Sequence, residues 1–195
     1  MGQVFAEIDD KLRAWIDRQL RAWIDRQSVF FVGTAPSGAD GSINVSPKGM
    51  AGTFAVLGPT RVGYLDYTGS GAETIAHLRD NGRIVVMFCA FDGPPRIVRL
   101  HGRGRAVPAT DPEFEVLRGH FGKSRTSGQR SIIVVELSRI ADSCGWSVPQ
   151  LEFRADRDLL DRAQERHADE HFRDYWAEKN AVSIDGLPAL GAGVH

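Results

Sequence analysis

Residues 83–91 read RIVVMFCAF, the most apolar stretch of the chain, and their β-branched and aromatic side chains suit a buried strand. Pro94 and Pro95 punctuate the sequence just beyond it. Another strand pattern follows at 96–107, and SIIVVEL at 131–137 forms the last clear one. Upstream, the apolar run 29–34 ends at a turn over 36–41, and strands are expected at 43–46 and 61–66. Breaks fall at 49–53 and at Gly58-Pro59. Six or seven short strands with few helices between them favour an antiparallel barrel over a parallel doubly wound sheet.

Helical spacing fills the gaps. Residues 71–81 place Ala72, Ile75, Ala76 and Leu78 on one side, with Ser70 and Glu73 forming a capping-box pattern ahead of them. Residues 111–121 open with Asp-Pro, a favourable N-cap and N1 pair. Residues 154–180 read as one long charged helix or two shorter ones packed across the outside of the barrel. Near the N-terminus, LRAWIDRQ at 12–19 recurs without a gap at 20–27. As a helix, both copies bury Leu12, Trp15, Ile16, Leu20, Trp23 and Ile24 on one broad face. The expected organisation is an N-terminal helix over 1–27, a barrel domain over 28–150, and a helical extension and tail over 151–195.

The chain has 195 residues, with 24 Lys and Arg against 25 Asp and Glu. This near-neutral balance argues against a nucleic-acid binder, which needs a strong basic excess. Two cysteines, Cys89 and Cys144, make no disulfide scaffold and point to a reducing cytoplasm. No run approaches the roughly 20 apolar residues that span a bilayer. The expectation is a cytoplasmic protein that meets neither membrane nor nucleic acid.

Three places carry candidate chemistry. In 96–107, Arg99, His101, Arg103 and Arg105 share one strand face, and Val98, Leu100, Gly102, Gly104 and Ala106 share the other. The cations either meet solvent or face an anionic ligand or partner subunit. The segment DYTGSGAET at 66–74 runs from a strand end into a helix start, a place that caps the helix or contacts a cofactor. Finally, Lys48 follows Pro47 at a strand exit in NVSPKG and is a plausible anion contact. HADEH at 167–171 fits an inverted zincin pattern, but its densely charged helix offers no third ligand, so no metal is expected.

Four pieces share a wider pattern: VFFVGTAP at 29–36, NVSPKG at 44–49, LDYTGSGAETIAHLRDNGRIVVMFCAF at 65–91 and PRIVRLHGRG at 95–104. Together they resemble the pyridoxamine 5'-phosphate oxidase-like family of FMN-binding split barrels. CGWSVP at 144–149 and NAVSIDGLPAL at 180–190 look like a subgroup of its longer members. The resemblance implies a six-stranded antiparallel split β-barrel, a homodimer, and FMN at the subunit interface. It places the flavin phosphate near Ser46, Pro47, Lys48 and Gly49, near Asp66, Tyr67 and Thr68, and near Ser70 and Thr74. Arg96 would line the flavin ring, and Trp146 would stack near it from the partner subunit.

Two departures set the chain apart from the vitamin oxidase itself. The family's Ser-Arg-Lys phosphate clamp is matched here by Ala72, Glu73 and Thr74, and its C-terminal Arg-x-His clamp by a tail ending GAGVH. The implied activity is that of an FMN-dependent oxidoreductase acting on an unassigned small molecule, with no catalytic acid or base assigned. The alternative is a non-catalytic flavin-binding or stress-associated barrel, or one using deazaflavin or haem.

Overall fold

The computed structural model describes the backbone of residues 4–5 and residues 19–190 in full. Its strands are β1 (Val4–Phe5), β2 (Val29–Thr34), β3 (Asn44–Gly49), β4 (Phe54–Gly58), β5 (Arg61–Tyr67), β6 (Arg83–Cys89), β7 (Ile97–Pro108) and β8 (Gln129–Ser143). The helices are α1 (Arg21–Ile24), α2 (Glu73–Asp80), α3 (Pro112–Arg118), α4 (Leu159–Gln164) and α5 (Asp169–Lys179). One curled sheet runs in the order β3-β2-β6-β7-β8-β5-β4, and every pair is antiparallel. β1 pairs with β8 off this path.

The antiparallel split barrel therefore has seven strands on its path, one more than the six expected. The additional strand is β4, a five-residue FAVLG between two glycine-marked breaks, too short to show alternation by itself. Strand alternation sorts the side chains onto two faces. Phe30, Val32, Val86, Phe88, Val98 and Leu100 fill the inner cluster, closed from above by Ile75, Ala76 and Leu78 of α2. β8 is buried on both faces, because Ile133 and Val135 join that cluster while Ile132 and Val134 join a second one. The second cluster lies beneath Phe114 and Leu117 of α3. Burying each such side chain contributes about 1.5–3 kcal/mol.

The local expectations meet mixed outcomes. Asp111 caps α3, its carboxylate accepting from the Glu113 amide at 2.8 Å. The stretch 154–180 divides into α4 and α5, and 154–158 is not helical. In the second copy of the tandem repeat, Leu20, Trp23 and Ile24 are buried in the inner cluster. The rest of the first copy, at 12–18, lies outside the described residues, as does the tail from 191. The capping box is not formed. Ala72 occupies the N-cap of α2 without a side-chain bond, and Glu73 Oε1 instead accepts from the Ile184 amide at 3.3 Å.

Candidate functional site

β3 is an edge strand, and its pleat decides which of its residues can act. Asn44, Ser46 and Lys48 point toward the interior, whereas Val45 and Pro47 project outward and are exposed. Lys48 is opposite Phe30 in register, and its Nζ lies 5.9 Å from the centre of the Tyr64 ring. It also reaches Asp66 Oδ1 at 3.4 Å. On the other side of that carboxylate, Arg130 Nε donates to Oδ2 at 2.6 Å and Ser131 Oγ donates at 3.3 Å. Arg130 in turn donates to Asn180 Oδ1 at 2.9 Å.

A carboxylate this deeply buried would have its pKa raised by desolvation. Here the Arg130 and Lys48 charges, with their hydrogen bonds, outweigh burial and hold Asp66 below the ordinary carboxylate value. Asp66 is thus ionised, and two cations around one anion leave the cluster with one net positive charge. Arg130 is almost fully buried, but the Lys48 side chain keeps 26% of its exposure. Of the two, Lys48 is the one an incoming anion can reach from solvent.

A second set of bonds fixes the rest of β3. Ser46 Oγ donates to Asn44 Oδ1 at 3.0 Å, and Asn44 Nδ2 donates to both Thr34 Oγ1 and Thr74 Oγ1 at 3.0 Å. Thr34 Oγ1 lies 3.0 Å from Nδ1 of His77, which is wholly buried in α2. These polar contacts tie β2, β3 and α2 together beside the Lys48 cluster.

The structure therefore brings Ser46, Lys48, Asp66 and Thr74 together, and Gly49 follows Lys48 at the strand exit. Thr68 is close in sequence but already engaged: it donates to the Gly128 carbonyl at 2.9 Å and accepts from Trp176 Nε1 at 2.8 Å. Gln164 donates to the Thr68 carbonyl and Asn180 to the Gly69 carbonyl, both at 3.0 Å. Pro47 points away from the cluster. So does Tyr67, which alternates to the second cluster, where Gln129 donates to its hydroxyl at 3.0 Å and burial pushes its pKa up. Ser70 is exposed ahead of α2. Arg96 sits elsewhere, paired with Asp142 at 3.4 Å and lying 5.9 Å from the Trp23 ring centre. Trp146 is 85% exposed.

On β7 the expected alternation holds, and part of the cationic face is spoken for. Arg105 makes two bonds to Glu113, at 2.8 and 2.5 Å, and Arg103 donates to the Asn81 carbonyl at 2.7 Å. Arg99 donates to Ser143 Oγ at 3.1 Å. His167 and His171 stack face to face at 3.9 Å, and no cluster of three or more potential metal ligands occurs among the described residues. Sequence reasoning missed Arg130, Asn44 and Asn180. A charged residue at the entrance to an apolar strand was the available signal for Arg130.

Fold and site together define a class: an antiparallel split barrel with a net-cationic polar cluster beneath its edge strand. A family model described as Pyridoxamine 5'-phosphate oxidase matches residues 16–144. The pyridoxamine 5'-phosphate oxidase family protein ustO of Aspergillus flavus is 40% identical over 200 residues, which span 95% of this chain and 77% of that protein. The chain belongs to the pyridoxamine 5'-phosphate oxidase family. Among solved structures, HupZ of Group A Streptococcus has a TM-score of 0.50 at 18% identity, covering 70% of this chain and 100% of its own, and shares the fold. An FAD-binding protein of Mesorhizobium loti gives a TM-score of 0.48 at 14% identity, over 73% of this chain and 95% of its own.

Proposed function

We propose that the chain is a cytoplasmic, homodimeric oxidoreductase that binds FMN and acts on a small molecule. The observation that carries this reading is the net positive charge of Lys48, Asp66 and Arg130, beside the Ser46 hydroxyl. A dianionic phosphate fits that charge, and family membership supports a flavin as its bearer. When bound, the flavin supplies the redox chemistry, and the protein's share is binding and orientation. Lys48 Nζ would donate to the phosphate, and Ser46 Oγ would join it by turning its single proton away from Asn44 Oδ1. Arg130 would keep Asp66 ionised. Glu73, an acid where relatives carry phosphate-binding cations, has its carboxylate engaged by Ile184. Free Cys89 and Cys144 are consistent with a reducing compartment.

One observation favours a second reading, a barrel that binds a ligand without turning it over. Trp176 and Gln164 already engage the hydroxyl and carbonyl of Thr68, and Asn180 engages the Gly69 carbonyl. Separate titrations with FMN, FAD, a deazaflavin and haem, followed by absorbance, distinguish these cases. FMN should saturate one site per chain at micromolar concentration. Lys48→Ala should weaken it by about 1.5–3 kcal/mol, the scale of a charge-assisted bond. Absence of flavin uptake retires the proposal. Uptake without reduction by any electron donor supports the second reading.

A further inference from the structure

Between α1, the turn after β3 and residues 153–156 lies a cavity of about 380 Å³, within the range of small-molecule sites. Phe54 is the partly exposed ring on its inner wall, backed by Phe30 and Phe88, which are buried in the core. The ring centres of Phe30, Phe54 and Phe88 lie 5.1 to 5.6 Å from one another. Phe30 meets Phe54 at 64° and Phe54 meets Phe88 at 85°, so these two pairs pack edge to face. Ile24 and Met50 add aliphatic surface, and Phe153 stands at the rim, 59% exposed. The space opens to solvent past exposed Phe153 and Asp156, so a ligand can enter it.

The turn forming the cavity mouth is held in an uncommon shape. Met50 has a φ of 69°, a left-handed conformation that is disfavoured for a side chain of its kind. Thr53 Oγ1 fixes it by donating to the Gly49 and Met50 carbonyls at 2.8 and 2.9 Å. Asp156 adds a tie from the C-terminal extension, accepting from the Ala51 amide at 2.8 Å. Asp25, Arg26 and Asp156 line the opening, giving it one net negative charge.

We propose that this cavity binds the flat, uncharged aromatic portion of a small molecule, about two fused rings in size. Calling that molecule the substrate rests on the oxidoreductase reading; the binding itself does not. Three features select the ligand class: the Phe54 and Phe153 rings, an acidic opening that disfavours anions, and a position beyond the Lys48 cluster. Phe30 is the register partner of Lys48, so cavity and cluster flank the same edge of the barrel without sharing a polar side chain.

Isothermal titration of the full chain with 2-naphthol, and separately with naphthalene-2-sulfonate, tests this. The expected result is one saturable naphthol site, with the sulfonate at least about tenfold weaker. Phe54→Trp, which fills the cavity, should weaken naphthol at least about tenfold and leave FMN binding intact. Lys48→Ala should do the reverse, so failure of the flavin reading and failure of this one are told apart. Ala51→Phe, at an exposed turn position on the mouth, gives the same reading should Phe54→Trp fail to fold. The proposal is overturned by unsaturable naphthol binding, by unchanged affinity in the folded cavity variants, by equal sulfonate affinity, or by competitive displacement of naphthol by FMN.

Discussion

Asp66 shows how one side chain carries a structural and a functional load together. Its carboxylate is buried, and the cost of that burial is offset by Arg130 and Lys48. Its folded pKa is lowered, so the stabilisation it contributes is present above the unfolded value of about 3.9 and is lost as pH falls through the folded one. Asp66→Asn leaves Arg130 buried without its counter-charge and should cost about 3–5 kcal/mol at pH 7. Urea unfolding at pH 7 and again near pH 3 checks this: the gap between wild type and variant should narrow in acid. A constant gap would mean that charge is not what the variant removes. Legibility at this scale was uneven. Lys48 stood out because a proline-marked strand exit is a local signal, whereas Ser46 came only with the family resemblance. Arg130 did not, because its role depends on Asp66 and Asn180, which lie 64 and 50 residues away in sequence.

At the scale of elements, what was legible was what local chemistry dictates. RIVVMFCAF is a strand by its side chains alone, and Asp-Pro starts α3 by its own geometry. The failures all have distant causes. Ser70 and Glu73 match a capping box, yet Glu73 is claimed by the backbone of residue 184. The beginning of 154–180 is not helical, and Asp156 there binds the β3–β4 turn instead. The pairing of β7 with β8 carries a register shift between His101 and Gly102. A methyl group at Gly102 would run into the Glu136 carbonyl and approach Val135 Cγ1 at 3.0 Å. Backbone cannot yield as a side-chain tip can. Gly102→Ala should therefore destabilise by about 1–3 kcal/mol or more. Gly38→Ala, with nothing among the described residues within 4 Å of the added carbon, is the matched control and should lie within about 0.5 kcal/mol of wild type. Thermal melts of the two variants decide it; equal melting temperatures would show that β7 moves freely against β8.

For the whole molecule, the question is what covers the outer face of the barrel sheet. α2 closes the inner cluster and α3 covers the second, but the reverse side of β2, β3 and β6 carries Phe31, Val45, Pro47, Val85 and Met87. Beside them Ile43 is 77% exposed and Val45 67% exposed. Among the described residues Phe31, Val85 and Met87 are partly exposed and Ile43, Val45 and Pro47 are exposed, and an apolar patch at an edge strand suits an interaction site. A second copy of the chain is the occupant that the proposed homodimer requires, and a two-fold interface would set each apolar row against its own image. A stable interface needs about 800 Å² from each protomer, so this three-strand face, about 300 Å² in plan, would form its centre and not the whole of it. Val45→Lys places an ammonium on that face, where the pleat points it away from the inner core. Light scattering should give wild type at twice the monomer mass and the variant at the monomer mass, with the melting temperature of the isolated fold little changed. FMN affinity is the second readout. If Trp146 reaches the flavin from the partner subunit, the monomeric variant loses affinity together with its partner, and Trp146→Ala in the intact dimer loses a comparable amount. A wild-type monomer that binds FMN at full affinity would place the complete site within one chain.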